Sequence, residues 1–206
     1  QWAAYEHFGM DAVIYVGPTA DYTDEQKSNW QSESTPHQDN GDGTWSWQTT
    51  YHTPEGDLTV GHQANPITGW VTKPPIESER DWELHEKYAP VPTLDWSPAI
   101  EAKERLGDKG IVRSGAWGFG QGSPWQDLCI LMDTVPAILA AKDKPDWVHH
   151  ALSVILNKRL EAIEKSGKIP VDIIECGGGA GSNTVISPEM HEEFCLPYDQ
   201  KQHAAI

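Results

Sequence analysis

Residues 171–198 read VDIIECGGGAGSNTVISPEMHEEFCLPY, and the fold turns on how that stretch is parsed. Val171-Asp172-Ile173-Ile174 is a β-branched run suited to a strand. Glu175 and Cys176 fall where that strand should end. Gly177, Gly178, Gly179 and Gly181 follow, and glycines let a backbone turn sharply or come close to a ligand. Ser187-Pro188-Glu189-Met190 then has the order of an N-cap, a proline at the first helical position and an acid in the first turn. In α/β proteins ligand sites lie beyond the carboxyl ends of strands. An acid and a thiol at such an end point to a ligand site. A glycine-rich connector without a ligand is the plainer alternative.

Working outward, strands and helices alternate. Residues 11–16 (DAVIYV) read as a buried strand, residues 110–114 (GIVRS) as a second core strand and residues 171–175 as a third. Amphipathic helices are expected over 79–88 and 97–106, and further helices over 125–141 and 146–166, broken near Pro136 and Pro145. Residues 20–43 are polar, with a short helix possible around 25–30. Residues 44–51 alternate, with Trp45 and Trp47 on one face. Thr53-Pro54-Glu55-Gly56-Asp57 is turn chemistry, residues 58–63 return as a strand, and 69–72 offer another. This makes an antiparallel insertion, placed at about 20–78, in one domain spanning 1–206. Strands alternating with helices imply a parallel sheet. A closed barrel of this kind has eight strands, so the expectation is an α/β fold forming about the first half of a (β/α)8 barrel. Trp2 to Phe8 resemble the last turns of a helix stopped by Gly9, and residues 199–206 are helical in pattern without a stop. Both ends therefore read as interrupted, and a fragment is expected. Half a barrel leaves sheet edges and an inner face uncovered, so self-association is expected as well.

Composition narrows the partners. The chain has 206 residues, with Lys plus Arg numbering 15 against 31 Asp plus Glu and a formal charge of −16. An acidic surface repels phosphate backbones, so nucleic acid is an unsuitable partner. The three cysteines, Cys129, Cys176 and Cys195, show no paired spacing and point to a reducing compartment. No apolar run approaches the roughly 20 residues that span a bilayer, and no signal-peptide pattern is visible. A cytoplasmic protein without membrane partners, acting on a small molecule, is expected.

The chain resembles the uroporphyrinogen decarboxylase superfamily, whose members are (β/α)8 barrels and include haem-pathway decarboxylases and corrinoid-linked, zinc-dependent methyltransferases. Residues 8–15 (FGMDAVIY) resemble the family's first barrel strand. Gly122-Ser123-Pro124-Trp125 resembles its "GxPW" loop and helix start. Ile174-Glu175, then Ser187-Pro188, Phe194 and Pro197-Tyr198, resemble its strand, loop and following helix. Lys73-Pro74-Pro75-Ile76-Glu77-Ser78 with Asp81 resembles the segment after the methyltransferase hairpin. The match is spread over nearly the whole chain.

This resemblance implies an enzyme that moves a methyl group between a corrinoid and a small thiol, with zinc holding the thiolate and a corrinoid protein as a possible partner. The zinc ligands, a His-x-Cys pair and a later Cys, are expected beyond Ile206. Porphyrin-pathway decarboxylation, a lyase reaction, is the sister chemistry. Against it, Pro18 stands where the decarboxylases place an Asp on the pyrrole nitrogens, and Ile130 stands where they place a pocket Tyr. Their arginine-rich N-terminal segment would lie before Gln1, and a chain without it poorly suits a polycarboxylate substrate.

The candidate ligand-binding residues are Glu175, Cys176, Gly178, Trp117, Phe119 and Pro18. Neighbouring strand residues face opposite ways, so of Glu175 and Cys176 one should face the barrel mouth and the other a helix. By the same resemblance, Cys176 falls where the decarboxylases place a substrate-contacting Ser. The run 117–122 (WGFGQG) lacks the P-loop Lys-Ser/Thr; by resemblance it lines the mouth, where Trp117 or Phe119 would cover a flat corrinoid. His191 and Cys195 are spaced i, i+4, but two ligands without a third favour a surface His and a half-buried Cys. Ten tryptophans are many for this length. Trp45, Trp47 and Trp70 read as the small core of the insertion, or as a binding platform or dimer surface. A non-catalytic module in which Trp-rich strands hold a glycan or partner protein is therefore the competing function class.

Overall fold

The computed structural model describes residues 2–115 and 122–206. Among them the helices in chain order are α1 (Trp2–Phe8), α2 (Asp24–Asn29), α3 (Glu79–Tyr88), α4 (Ser97–Leu106), α5 (Pro124–Met132), α6 (Thr134–Asp143), α7 (Pro145–Ser166), α8 (Pro188–Phe194) and α9 (Leu196–Ala205). The strands are β1 (Ala12–Tyr15), β2 (Thr19–Asp21), β3 (Gln31–Ser34), β4 (Gln38–Asp39), β5 (Trp45–Thr53), β6 (Gly56–Ala64), β7 (Gly69–Lys73), β8 (Thr93–Asp95), β9 (Gly110–Gly115) and β10 (Ile173–Glu175). The fold is mixed α/β. The chain divides into two units: Gln1–Asp21, Val91–Asp127 and His149–Ile206 form the first, and Tyr22–Pro90 with Leu128–Val148 the second. The second unit thus reaches beyond the expected insertion, taking in α3 and residues 128–148.

The first unit is built on a three-stranded sheet in the order β1-β9-β10. Both pairings are parallel, with Ile14 beside Val112 and Ile174 beside Ser114. The expected three parallel core strands are present in one sheet. Each sits next to its predecessor in sequence, and the connections between them carry helices. Gly110, at φ 155°, opens β9 so close to β1 that a Cβ there would lie 2.0 Å from the Ala12 carbonyl oxygen. Asp172 ties in the third strand just before it starts: its carboxylate accepts the Val112 N–H at 2.9 Å and the Lys103 ammonium at 2.6 Å. The Lys103 bond, helped by that N–H, holds the Asp172 carboxyl below its ordinary range.

One face of this sheet carries the core. Ala12, Ile14 and Val112 pack with Leu94, Trp96, Ala99, Ala102 and Leu106, and with Ile163 of α7. Full burial of an aliphatic or aromatic side chain is worth about 1.5–3 kcal/mol, so this cluster is the main stabilising element of the unit. Helices α4 and α7 both contribute to the same side. The opposite face is open among the described residues: Val13 and Tyr15 are each 45% exposed and Ile173 is 49% exposed. The run DAVIYV reads as buried on both sides, yet only its alternate residues, Ala12 and Ile14, are covered. A parallel sheet normally has both faces covered.

The second unit holds a separate antiparallel sheet, ordered β3-β5-β6-β7 with β4 also on β5. The expected hairpin is its centre, with Thr53 paired to Gly56 across the Pro54-Glu55 turn. Leu58, Val60 and Ala64 are buried on the face that also carries Trp45 and Trp47. The Trp47 ring lies between imidazoles, with centroids 4.9 Å from His62 and 4.7 Å from His37. Trp45 and Trp47 are thus half-buried at the end of the small core, whereas Trp70 is 41% exposed. Residues 31–34, part of the stretch read as polar, form a strand because β5 supplies a ladder from Gln31–His52 to Ser34–Thr49. Helix α3 is locked onto the hairpin turn by Glu55, whose carboxylate receives Lys87, Tyr88 and Arg80.

Candidate functional site

The three parallel strands run in register, so Tyr15, Gly115 and Glu175 lie toward one rim of the sheet. Tyr15, Arg113 and Ile173 lie side by side in register, and Glu175 stands one pleat further along, beside Gly115. All four belong to the open face, because side chains two apart on a strand point the same way. The Arg113 guanidinium sits 5.6 Å from the Tyr15 ring centroid. It is also 3.6 Å from the Glu175 carboxylate. A cation, a carboxylate and a phenol are thereby gathered on a face that also carries Val13, Ile111 and Ile173.

Cys176 points the other way, toward the helix-side core, where it packs as a partly buried residue. Glu175 and Cys176 thus face opposite sides, as strand alternation requires. Burial raises the Cys176 thiol above its ordinary value, with a Gln202 hydrogen bond and the Arg159 charge pulling the other way. Gln202 is fully buried and donates through Nε2 to the Gly122 carbonyl at 3.0 Å. Arg159, only 6% exposed, donates through Nε to Asp127 at 2.9 Å and through Nη2 to the same oxygen.

The glycine loop is held by α5. Gln126 accepts the Ala180 N–H at 3.0 Å, and the Trp125 indole N–H reaches the Ala180 carbonyl at 3.0 Å. A Cβ on Gly178 would lie 2.2 Å from the Gln126 Oε1 atom. The geometry at Gly178 is therefore a close approach between loop and helix. The SPEM segment is capped as read, with Ser187 accepting the Met190 N–H at 3.3 Å. His191 Nδ1 meets the Gly181 carbonyl at 3.0 Å and Cys195 is 2% exposed, so both serve the packing of α8. Among the described residues no group of three or more His, Cys, Asp or Glu is placed to hold a metal ion.

Pro18 is half-buried between β1 and β2, and its side chain carries no polar group. Ile130 is 49% exposed on α5. Trp117 and Phe119 lie outside the described residues. A cavity of about 300 Å³, lined by Trp2, Tyr5, Met10, Ala12, Arg105 and Lys109, opens instead at the amino end of β1. In parallel barrels that end serves stability, whereas chemistry gathers at the carboxyl ends. No helix is long and apolar enough to cross a membrane among the described residues.

Arg113 and Tyr15 are not among the residues that the sequence singles out as candidates. The available signal was a charge inside an apolar strand run, GIVRS, which marks a side chain that cannot join a dry core without a partner. Gln126, Arg159 and Gln202 had no such signal, since their roles depend on contacts distant in sequence. Comparison with protein-family models, curated proteins and solved structures yields no match.

Proposed function

We propose that this chain forms the opening strands of a (β/α)8 barrel enzyme of the uroporphyrinogen decarboxylase superfamily, of the branch that transfers a methyl group between a corrinoid and a small thiol. The observation that carries the reading is the one-sided parallel sheet. Its strands lie in sequence order, α4 and α7 contribute to the core on one face, and the other face presents Val13, Tyr15, Arg113 and Ile173. A doubly wound sheet puts helices on both faces. A barrel puts them all outside and turns the other face inward, with the active site at the carboxyl strand ends. Glu175, Arg113 and Tyr15 stand at those ends, and Cys176 and Gly178 shape the loop behind them.

Zinc and the corrinoid enter through the resemblance. Bound zinc would supply an acidified thiol. The described residues offer no ligand set for it, and no step is routed through either group. What this chain contributes is a rim that binds and orients a small-molecule substrate. Uroporphyrinogen fits that rim poorly. Pro18 offers no side-chain acceptor for pyrrole N–H groups, and each missing charge-assisted bond costs about 1.5–3 kcal/mol. The net charge of −16 also disfavours a polyanionic substrate.

The test is metal analysis of the intact gene product beside an assay with uroporphyrinogen. Stoichiometric zinc and no coproporphyrinogen are expected. Coproporphyrinogen formation by metal-free protein would overturn the methyl-transfer reading.

A further inference from the structure

Arg113 is the one Lys or Arg on the strands β1, β9 and β10. It stands on the open face among apolar neighbours, beside Tyr15 on one strand and Ile173 on the other. Its side chain is 45% exposed. At 3.6 Å the Glu175 carboxylate is an ion-pair partner lying beyond hydrogen-bond distance. With its Cζ over the Tyr15 ring, 5.6 Å from the centroid, the guanidinium is held by a cation–π contact that uses none of its N–H donors. Among the described residues none of its N–H donors reaches a hydrogen-bond acceptor. A planar fork of donors, fixed by an aromatic ring and bordered by apolar side chains, matches a carboxylate or other oxyanion in bidentate geometry.

Resting on the reading of this face as the ligand side of the sheet, we infer that Arg113 is the oxyanion anchor of the site. It takes the anionic end of a small ligand whose apolar body lies on Tyr15, Val13 and Ile173. The ligand carries one such group. The strands supply a single cation, and Glu175 beside it repels a second anionic charge. Glu175 also sets selectivity, since any bound oxyanion competes with it for the guanidinium.

Benzoate, benzenesulfonate and the neutral analogue benzyl alcohol test this on the 206-residue chain by NMR titration, read at the Tyr15 ring and the Ile173 methyls. Benzoate and benzenesulfonate should shift both residues. R113Q should weaken benzoate by about tenfold or more while leaving benzyl alcohol unchanged, because only the charge-assisted pair is lost. R113K keeps the charge without the fork and should fall between. E175Q should tighten benzoate by about threefold through removal of a like charge. The Arg113 side chain is on the surface, and unchanged circular dichroism checks that the variants remain folded. Benzoate binding at Tyr15 within twofold in R113Q and wild type would overturn the anchor and leave the ligand face standing. Shifts confined to the Trp2 and Arg105 cavity, or none with any probe, would overturn both.

Discussion

The open sheet face makes a sharp mutational prediction at two adjacent residues of β1. Ile14 is 3% exposed in the helix-side core, and Val13 is 45% exposed on the other face. Ile14→Ala removes three carbons from a packed site, which costs about 2–5 kcal/mol once the cavity is included. Its neighbours Trp96, Ala99 and Val112 are themselves packed and cannot collapse freely, which favours about 3–4 kcal/mol within that range. Val13→Ala removes two carbons, about 1.6 kcal/mol if fully buried at about 0.8 kcal/mol each. With nearly half of Val13 in solvent and no cavity created, about 0.8 kcal/mol remains. Urea unfolding of the 206-residue chain, followed by circular dichroism, measures both. A fourfold ratio in free energy, at unchanged m-value, is expected. Equal costs for the two substitutions would refute the one-sided sheet and the barrel reading that rests on it.

Gly178→Ala should destabilise by about 1–3 kcal/mol through overpacking against Gln126, while Gly179→Ala, with nothing within 4 Å of its Cβ, should be close to neutral in the same assay. Of the three thiols, Cys176 should react first with a disulfide reagent in the folded chain, because Cys129 and Cys195 are more deeply buried and burial pushes the Cys129 thiol up to about 12. Burial raises the Cys176 thiol as well, so it should react more slowly than an exposed thiol; Cys176→Ser should abolish the first phase, and its survival would contradict the assignment. Glu55 should titrate far below other carboxylates, at about 2 against an ordinary 4.5, chiefly because Lys87 and then Tyr88 bond to it. Because its pKa falls on folding, the stability it supplies is complete above pH 4.5 and is lost as pH drops through about 2. Carbon-detected NMR titration reads the carboxyl directly, and Glu55→Gln should flatten the acid limb of the hairpin's unfolding curve.

The helices most legible in the sequence were those whose ends carry local signals. Ser78 caps α3 by accepting the Asp81 N–H, and α4 and α3 span the expected residues. The break near Pro136 falls earlier, at Asp133, whose φ of 72° stops α5 and whose carboxylate then caps α6. Pro136 is tolerated in the first turn of α6, where its missing N–H has no helical partner to lose. Strands β3 and β4 were illegible, because Gln31, Ser32, Glu33 and Ser34 are all exposed and carry no apolar pattern; only the ladder to β5 makes them a strand. The rim was half legible. Glu175 and Cys176 were read from the strand end, and their opposite orientation followed from the pleat. Arg113 was legible only as a charge inside an apolar run, because such a run does not reveal which of its two faces stays open. Trp117 and Phe119 lie outside the described residues.

The barrel account is tested most directly by a crystal structure of the intact gene product. The account predicts that further parallel strands continue the sheet beyond β10 in sequence order. They should bury Val13, Tyr15 and Ile173 and leave Arg113 and Glu175 lining a pocket at the carboxyl strand ends. Helices packed on that face, or an antiparallel partner at the free edge of β10, would contradict it.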